Sequence, residues 1–287
     1  MEPVTHSVSI FGLGYVGSVM AACLAHQGNR VVGVDVNPAK VVMLDSGRSP
    51  ILENRVDELI AEGHQAYRMH ATADASAAVR DSDISFICVG TPGLRNGKLD
   101  LRHVEHACVE IGKGLAQKDA HHVVVLRSTL LPGTTEGVAI PILETTSGKR
   151  AGEDFAVCYN PDFMREGNAV ADFFEPPYTV MGSRDSKDLT GLRELYSWVP
   201  SRTFETSLSV AEMVKYVSNA YHALKVSFAN EIGTLAKHLG VDSESVMEIF
   251  ATDIKLNIST AYLMPGFALG GSCLPKDLRA RLSRQGA

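Results

Sequence analysis

The sequence predicts an α/β protein: a doubly wound parallel sheet followed by a helical region with one long central helix. Three observations predict it. From residue 6 to about 205, short β-branched runs alternate with helical stretches, the order that builds a mostly parallel sheet with helices on both faces. A glycine-rich turn separates the first strand from the first helix. After about residue 205 the alternation stops, and one long segment of helical periodicity begins.

The predicted strands, in order, are HSVSIF (6–11), RVVGVDV (30–36), DISFICVG (83–90), HHVVVLRS (121–128), DFAVCYN (154–160) and YTVMGS (178–183). Several are apolar at consecutive positions, as strands covered on both faces must be. Amphipathic stretches such as SVMAACLAHQG and LRHVEHACVEIGKGLA lie between them and read as helices. The segment 207–240 has no Pro and one internal Gly, Gly233. Its apolar residues recur in steps of three and four: Val210, Val214, Val217, Tyr221, Leu224, Phe228, Ile232, Leu235 and Leu239. That is one helix of roughly 50 Å, ended by Gly240. A shorter helix follows through DSESVMEIFA, capped by Asp242 or Ser243. The rest, 253–287, reads as loop until Pro275 opens a further helical pattern. Two domains result, 1–205 and 206–287.

Composition narrows the function. With 45% hydrophobic and 21% charged residues, the chain can bury a sizeable core. The formal charge of −6 is scattered, with no basic stripe, so no nucleic-acid partner is expected. No apolar run approaches the roughly 18 residues of a membrane span, and the start MEPVTHSVSI is unlike a signal peptide. Cys23, Cys88, Cys108, Cys158 and Cys273 lie far apart with no CxxC pair. Reduced thiols of a cytoplasmic protein fit better than a disulfide framework or a metal site, and no metal is expected.

The first candidate site is VSIFGLGYVGSVMAACLAHQGNRVVGVDV, with Gly12, Gly14 and Gly17 in G-x-G-x-x-G spacing and Asp35 closing the second strand. Gly12 permits the turn, Gly14 the approach of a pyrophosphate, and Gly17 close helix packing. The helix N-terminus attracts the phosphates. Asp35 accepts from ribose hydroxyls and repels a 2′-phosphate, which favours NAD over NADP. Thr91, and the pair Ser128–Thr129, end two further strands at the same rim, where hydroxyls can meet a ribose or nicotinamide or serve as turn residues.

Lys215, Asn219 and His222 share one face of the long helix. They read either as a grip for a sugar or as a solvated stripe in which Glu212 pairs with Lys215. In YNPDFMREGNAV, Asp162 and Glu166 read either as acid–base groups or as caps of the next helix. In FALGGSCLPKD, Gly270 and Gly271 allow close approach to Cys273, Lys276 favours a thiolate, and Asp277 can orient water. A thiolate can trap an aldehyde, lose hydride to NAD as a thioester, and release an acid on hydrolysis. An isolated cysteine is otherwise an inert small hydrophobe.

FGLGYVG, ICVGTP, RSTLLPGTT, NPDFMREG, KYVSNAYHALKVSFANEIG and GGSCLPKD occur in this order. On these motifs, over essentially its whole length, the chain resembles the UDP-glucose/GDP-mannose dehydrogenases. The resemblance implies a Rossmann-type NAD-binding domain, a helical dimerisation domain, and NAD-dependent oxidation of a nucleotide sugar at C6 to the uronic acid. His222 and Lys225, and the Leu-Pro after Cys273, point to GDP-mannose, with UDP-glucose as the alternative. A non-catalytic NAD-binding, dimerising module is the other alternative.

The resemblance further implies that Cys273 is the nucleophile, that Lys215 and Asn219 stabilise the oxyanion, and that Asp277 and Asp162 act on water. It places Glu166, Lys215, Asn219, His222, Asn230 and Tyr262 on substrate. It places Gly12, Gly14, Tyr15, Val16, Gly17, Asp35, Lys40, Thr91, Thr129 and Lys276 on NAD. It implies a homodimer through the long helix. Three departures accompany it: Asp162 replaces the family's glutamate, Met264 replaces an arginine, and relatives continue past the position of Ala287 into a nucleotide-binding domain.

Overall fold

The computed structural model describes residues 5–259 and Leu263. They fall into two units divided between Ala220 and Tyr221.

The first unit holds one eight-stranded sheet. Its strands are β1 (Ser7–Phe11), β2 (Arg30–Val34), β3 (Met69–Thr72), β4 (Ile84–Ile87), β5 (Val123–Leu126), β6 (Ala156–Tyr159), β7 (Thr179–Ser183) and β8 (Thr203–Thr206). The order across the sheet is β3-β2-β1-β4-β5-β6-β7-β8. Every adjacent pair is parallel except β6–β7. The six strands expected from the sequence are present. β3 and β8 are additional, and both lie at sheet edges.

Between the strands run α1 (Tyr15–His26), α2 (Pro38–Asp45), α3 (Val56–Gln65), α4 (Ala75–Arg80), α5 (Arg102–Leu115), α6 (Ile140–Ser147), α7 (Ala169–Phe174) and α8 (Thr190–Leu195). The pleat explains the two cores. Val8, Ile10 and Val31 join the layer that holds α1 and α3, whereas Phe11, Val32 and Val34 join the layer that holds α5 and α6. Cys23, Cys88, Cys108 and Cys158 are buried free thiols, each pushed up to about 12 by burial.

A buried polar chain crosses the sheet. Ser82 Oγ donates to Ser9 Oγ (2.9 Å), Ser9 and Ser85 share a 2.6 Å bond, and Ser85 Oγ lies 2.8 Å from His122 Nε2. It joins β1 and β4 to the approach of β5, and it satisfies hydroxyls that the sheet would otherwise strand.

The long helix, α9, runs Leu208–Leu239. Its first turns complete the first unit, where a Cβ on Gly182 of β7 would meet the Ala211 Cβ at 2.7 Å. In the second unit α9 ends at Gly240, whose φ of 66° is the left-handed conformation of a helix stop. Asp242 accepts from Glu244 N (3.1 Å) and caps α10 (Ser243–Ala251). Phe228 and Phe250 meet there at a tilt of 41°, ring centroids 5.5 Å apart. No described helix is long and apolar enough to cross a membrane.

Candidate functional site

The turn after β1 is built by three glycines with three different reasons. Gly12 has φ 99°, and a Cβ there would lie 2.9 Å from the Cys88 carbonyl oxygen. A Cβ on Gly17 would lie 1.9 Å from the Gly12 oxygen, so α1 can begin only with glycine at that contact. At Gly14 a Cβ would meet nothing within 4 Å: its missing side chain leaves open space in front of the helix N-terminus. No side chain caps α1, so its first N–H groups stay available to an anion. Tyr15 and Val16, half-buried, pack their apolar parts on the core beside the turn.

Asp35 follows β2 and organises this turn. Its Oδ2 accepts from Leu13 N (2.7 Å), its Oδ1 from Asn37 N (2.8 Å), and Lys40 Nζ stands 3.6 Å from Oδ2. Gly12, Gly14, Asp35 and Lys40 line a cavity of about 500 Å³, with Val89 and Pro92 on the β4 side. The open face at Gly14, the uncapped helix end and a carboxylate at the β2 end together fit a dinucleotide such as NAD.

The ends of β4 and β5 are pinned together. Thr91 Oγ1 donates to the Thr129 carbonyl (2.9 Å), Ser128 Oγ donates to the Val89 carbonyl (2.6 Å), and Tyr159 donates to the Ser128 carbonyl (3.0 Å). Thr91 and Thr129 are thus brought together at the rim.

Beyond β6 the chain turns through Asn160-Pro161-Asp162, and this turn is buried. Arg127 reaches it from β5: one nitrogen donates to Asn160 Oδ1, and another lies 3.7 Å from Asp162 Oδ1. Lys215 of α9 reaches it from the other side. Its Nζ donates to the Asp162 carbonyl and lies 4.0 Å from Asp162 Oδ2. Burial pulls the Lys215 ammonium below the usual lysine range; Asp162 opposes that and Arg127 adds to it.

Two expectations from the sequence are corrected by this geometry. Glu212 does not pair with Lys215. It is fully buried and accepts from Gly133 N (2.6 Å), Thr135 N (2.8 Å) and Thr135 Oγ1 (2.6 Å), because α9 enters the domain with that face inward. Lys215 accordingly does not belong to a solvated stripe. Nor does Asp162 cap the following helix: its Oδ1 accepts from Met164 N (3.1 Å) within the turn, while α7 has Asn168 at its N-cap position.

Glu166 and Asn219 are exposed. His222 and Asn230 are exposed residues of the second unit. Cys273, Lys276, Asp277, Tyr262, Met264 and the helical pattern after Pro275 lie outside the described residues.

Sequence reasoning missed Arg127, Glu53, and the α5 histidines His103 and His106, which line the dinucleotide cavity. Arg127 carried a usable sign: a guanidinium closing the apolar run VVVL must find a buried acceptor. Glu53, in a loop between helices, carried none.

Comparison with known proteins places this geometry. Residues 6–199 match the NAD binding domain, and residues 209–286 the central domain, of the UDP-glucose/GDP-mannose dehydrogenase family. The GDP-mannose 6-dehydrogenase of Pseudomonas aeruginosa is 50% identical over 273 residues, 95% of this chain and 63% of that protein. The UDP-glucose 6-dehydrogenase AglM of Haloferax volcanii is 39% identical, over 95% of this chain and 64% of that one. A crystal structure of a ternary complex of GDP-mannose dehydrogenase from Pseudomonas aeruginosa superposes with a TM-score of 0.96 at 49% identity, covering 97% of this chain and 64% of that one. The chain thus spans somewhat under two thirds of the length of these relatives. With both domain models matched in order along nearly all its residues, the chain belongs to the UDP-glucose/GDP-mannose dehydrogenase family.

Proposed function

We propose that the chain carries the NAD site and the central part of a nucleotide-sugar 6-dehydrogenase that oxidises GDP-mannose to the uronic acid. The observation that carries this reading is the dinucleotide cradle sharing a sheet rim with the buried Asp162–Lys215 pair: both lie beyond the carboxyl ends of parallel strands. The Pseudomonas relative, at 50% identity, supports GDP-mannose over UDP-glucose.

In this reading Gly12, Gly14, Tyr15, Val16, Gly17, Asp35, Lys40, Thr91, Thr129 and Lys276 hold NAD. NAD when bound supplies the hydride acceptor. Glu166, His222, Asn230 and Tyr262 contact the sugar nucleotide. The C6 alcohol would become the aldehyde by losing a hydride to bound NAD and its hydroxyl proton to water. The Cys273 thiolate adds to the aldehyde carbon, forming a C–S bond and an alkoxide that Lys215 and Asn219 stabilise. The alkoxide would collapse to a thioester as a second hydride passes to a second NAD, bound after the first NADH has left. Water, deprotonated by Asp162 and oriented by Asp277, adds to that carbon; the C–S bond breaks and the thiolate returns. Asp162 is one methylene shorter than the family's glutamate, and its neighbours Arg127 and Lys215 set how far it reaches.

The test is NADH production by the full chain. GDP-mannose is expected to give two NADH per sugar, at least ~10-fold faster than UDP-glucose. If neither sugar gives NADH while NAD still raises the melting temperature, the chain is a non-catalytic NAD-binding module.

The same reading makes the chain a cytoplasmic homodimer paired through α9, on which Val210, Met213, Val217 and Leu224 are exposed. Light scattering should return twice the chain mass, and a monomer mass would remove this part.

A further inference from the structure

Three segments distant in sequence meet at one carboxylate. Tyr15, the first residue of α1, donates its hydroxyl to Glu53 Oε2 and lies 3.3 Å from the Arg165 carbonyl. Glu53, in the loop between α2 and α3, also accepts from Gly167 N (2.7 Å) and Ala169 N (3.3 Å). Its neighbour Asn54 donates from Nδ2 to the Gly167 carbonyl (2.9 Å). Tyr15 thus connects the glycine turn, through one side chain, to the backbone on both sides of Glu166–Asn168.

The charges agree with this arrangement. Burial works against the Glu53 carboxylate, but the Tyr15, Gly167 and Ala169 donors outweigh it and hold the group below the usual range. Burial, then the Glu53 bond and charge, raise the Tyr15 phenol, which therefore remains a donor at ordinary pH. Two residues after Glu53, Arg55 sits at φ 65°, a conformation rare for a side-chain-bearing residue and kept where surrounding contacts fix it.

We propose that Glu53 is a positioning residue that couples the dinucleotide turn to the segment 165–169, so that a ligand ordering one orders the other. The inference rests on the proposed function, which puts NAD on the turn and Glu166 on the substrate. A phosphate on the α1 N-terminus fixes the first turn, and Tyr15 is part of that turn. Glu53 passes the constraint to backbone N–H groups rather than to a mobile side chain. Linkage makes the effect reciprocal: a sugar nucleotide that orders Glu166 tightens NAD binding by the same factor.

Hydrogen exchange on the full chain, with and without saturating NAD, tests this. In the wild type, NAD should slow amide exchange at 12–18 and, by about tenfold, at 165–170. In Glu53→Gln the slowing at 12–18 should persist, and the slowing at 165–170 should fall below about twofold. A merely structural Glu53 would speed exchange at 165–170 equally with and without NAD, leaving their ratio unchanged. An unchanged ratio, or wild-type protection confined to 12–18, overturns the proposal. Should Glu53→Gln not fold, Glu53→Asp keeps the charge but shortens the reach to Tyr15, Gly167 and Ala169 by one methylene, with the same two outcomes. Absence of any NAD effect at 12–18 in the wild type is a separate result: it removes the cofactor reading and the coupling with it.

Discussion

Asp35 engages both of its oxygens inside the protein, on Leu13 N and Asn37 N, and each oxygen keeps a second lone pair for a ribose hydroxyl. Replacing it by Ala loosens the turn and, in the proposed NAD site, removes the ribose acceptor as well. Charged hydrogen bonds of this kind contribute about 1.5–3 kcal/mol each. Asp35→Ala should therefore weaken NAD binding by about 10- to 100-fold in a calorimetric titration. Lys40 makes only a partly exposed 3.6 Å ion pair, so Lys40→Ala should cost less than about fivefold. Equal affinities for wild type and Asp35→Ala would take this carboxylate out of the site. Asp35 was legible because its spacing from the glycines is local. The Asp162–Lys215 pair was half legible: both residues stood out, yet what joins them is a tertiary contact across 53 positions. Glu212 was misread for the same reason, since a helical i,i+3 neighbour is only a default that a buried loop donor overrides.

At the scale of elements, the chain Ser82–Ser9–Ser85–His122 ties β1, β4 and β5 by their polar side chains. Burial depresses His122 from 6.5 to about 3, so the folded protein keeps it neutral. Above pH ~6.5 the unfolded chain is neutral there too, and nothing is lost. Between pH ~6.5 and ~3 the unfolded chain binds a proton that the folded chain refuses, so stability falls as pH falls. From pH 7 to pH 5 the loss should be about 2 kcal/mol. Denaturant unfolding at both pH values checks it: His122→Asn should flatten the dependence by that amount, and identical slopes would assign the loss elsewhere.

The strands that announced themselves were those buried on both faces. β3 and β8 did not, because an edge strand of four residues with alternating or continuous exposure carries no apolar run. The antiparallel β6–β7 step was also illegible, since strand direction depends on the path of the intervening segment rather than on composition.

At the scale of the molecule, the order β3-β2-β1-β4 reverses direction of growth between β1 and β4. That reversal opens the crevice where Gly12, Gly14 and Asp35 meet Val89 and Pro92. The same rim continues along β5 and β6 to Arg127 and Asp162, so the glycine turn and the Asp162–Lys215 pair lie along one row of strand ends. Motif order along the chain foretold this rim. The side chains that organise it from beneath belong to segments with no motif of their own.

The four sulfurs sealed in the two cores have a practical corollary. With burial holding each as an unreactive thiol, any rapid iodoacetamide adduct on the native chain is assigned by elimination to Cys273, the fifth cysteine. Intact-mass spectrometry should show at most one added carbamidomethyl group before urea and five after it. Native labelling at Cys88 would instead show that the floor of the cradle opens to solvent.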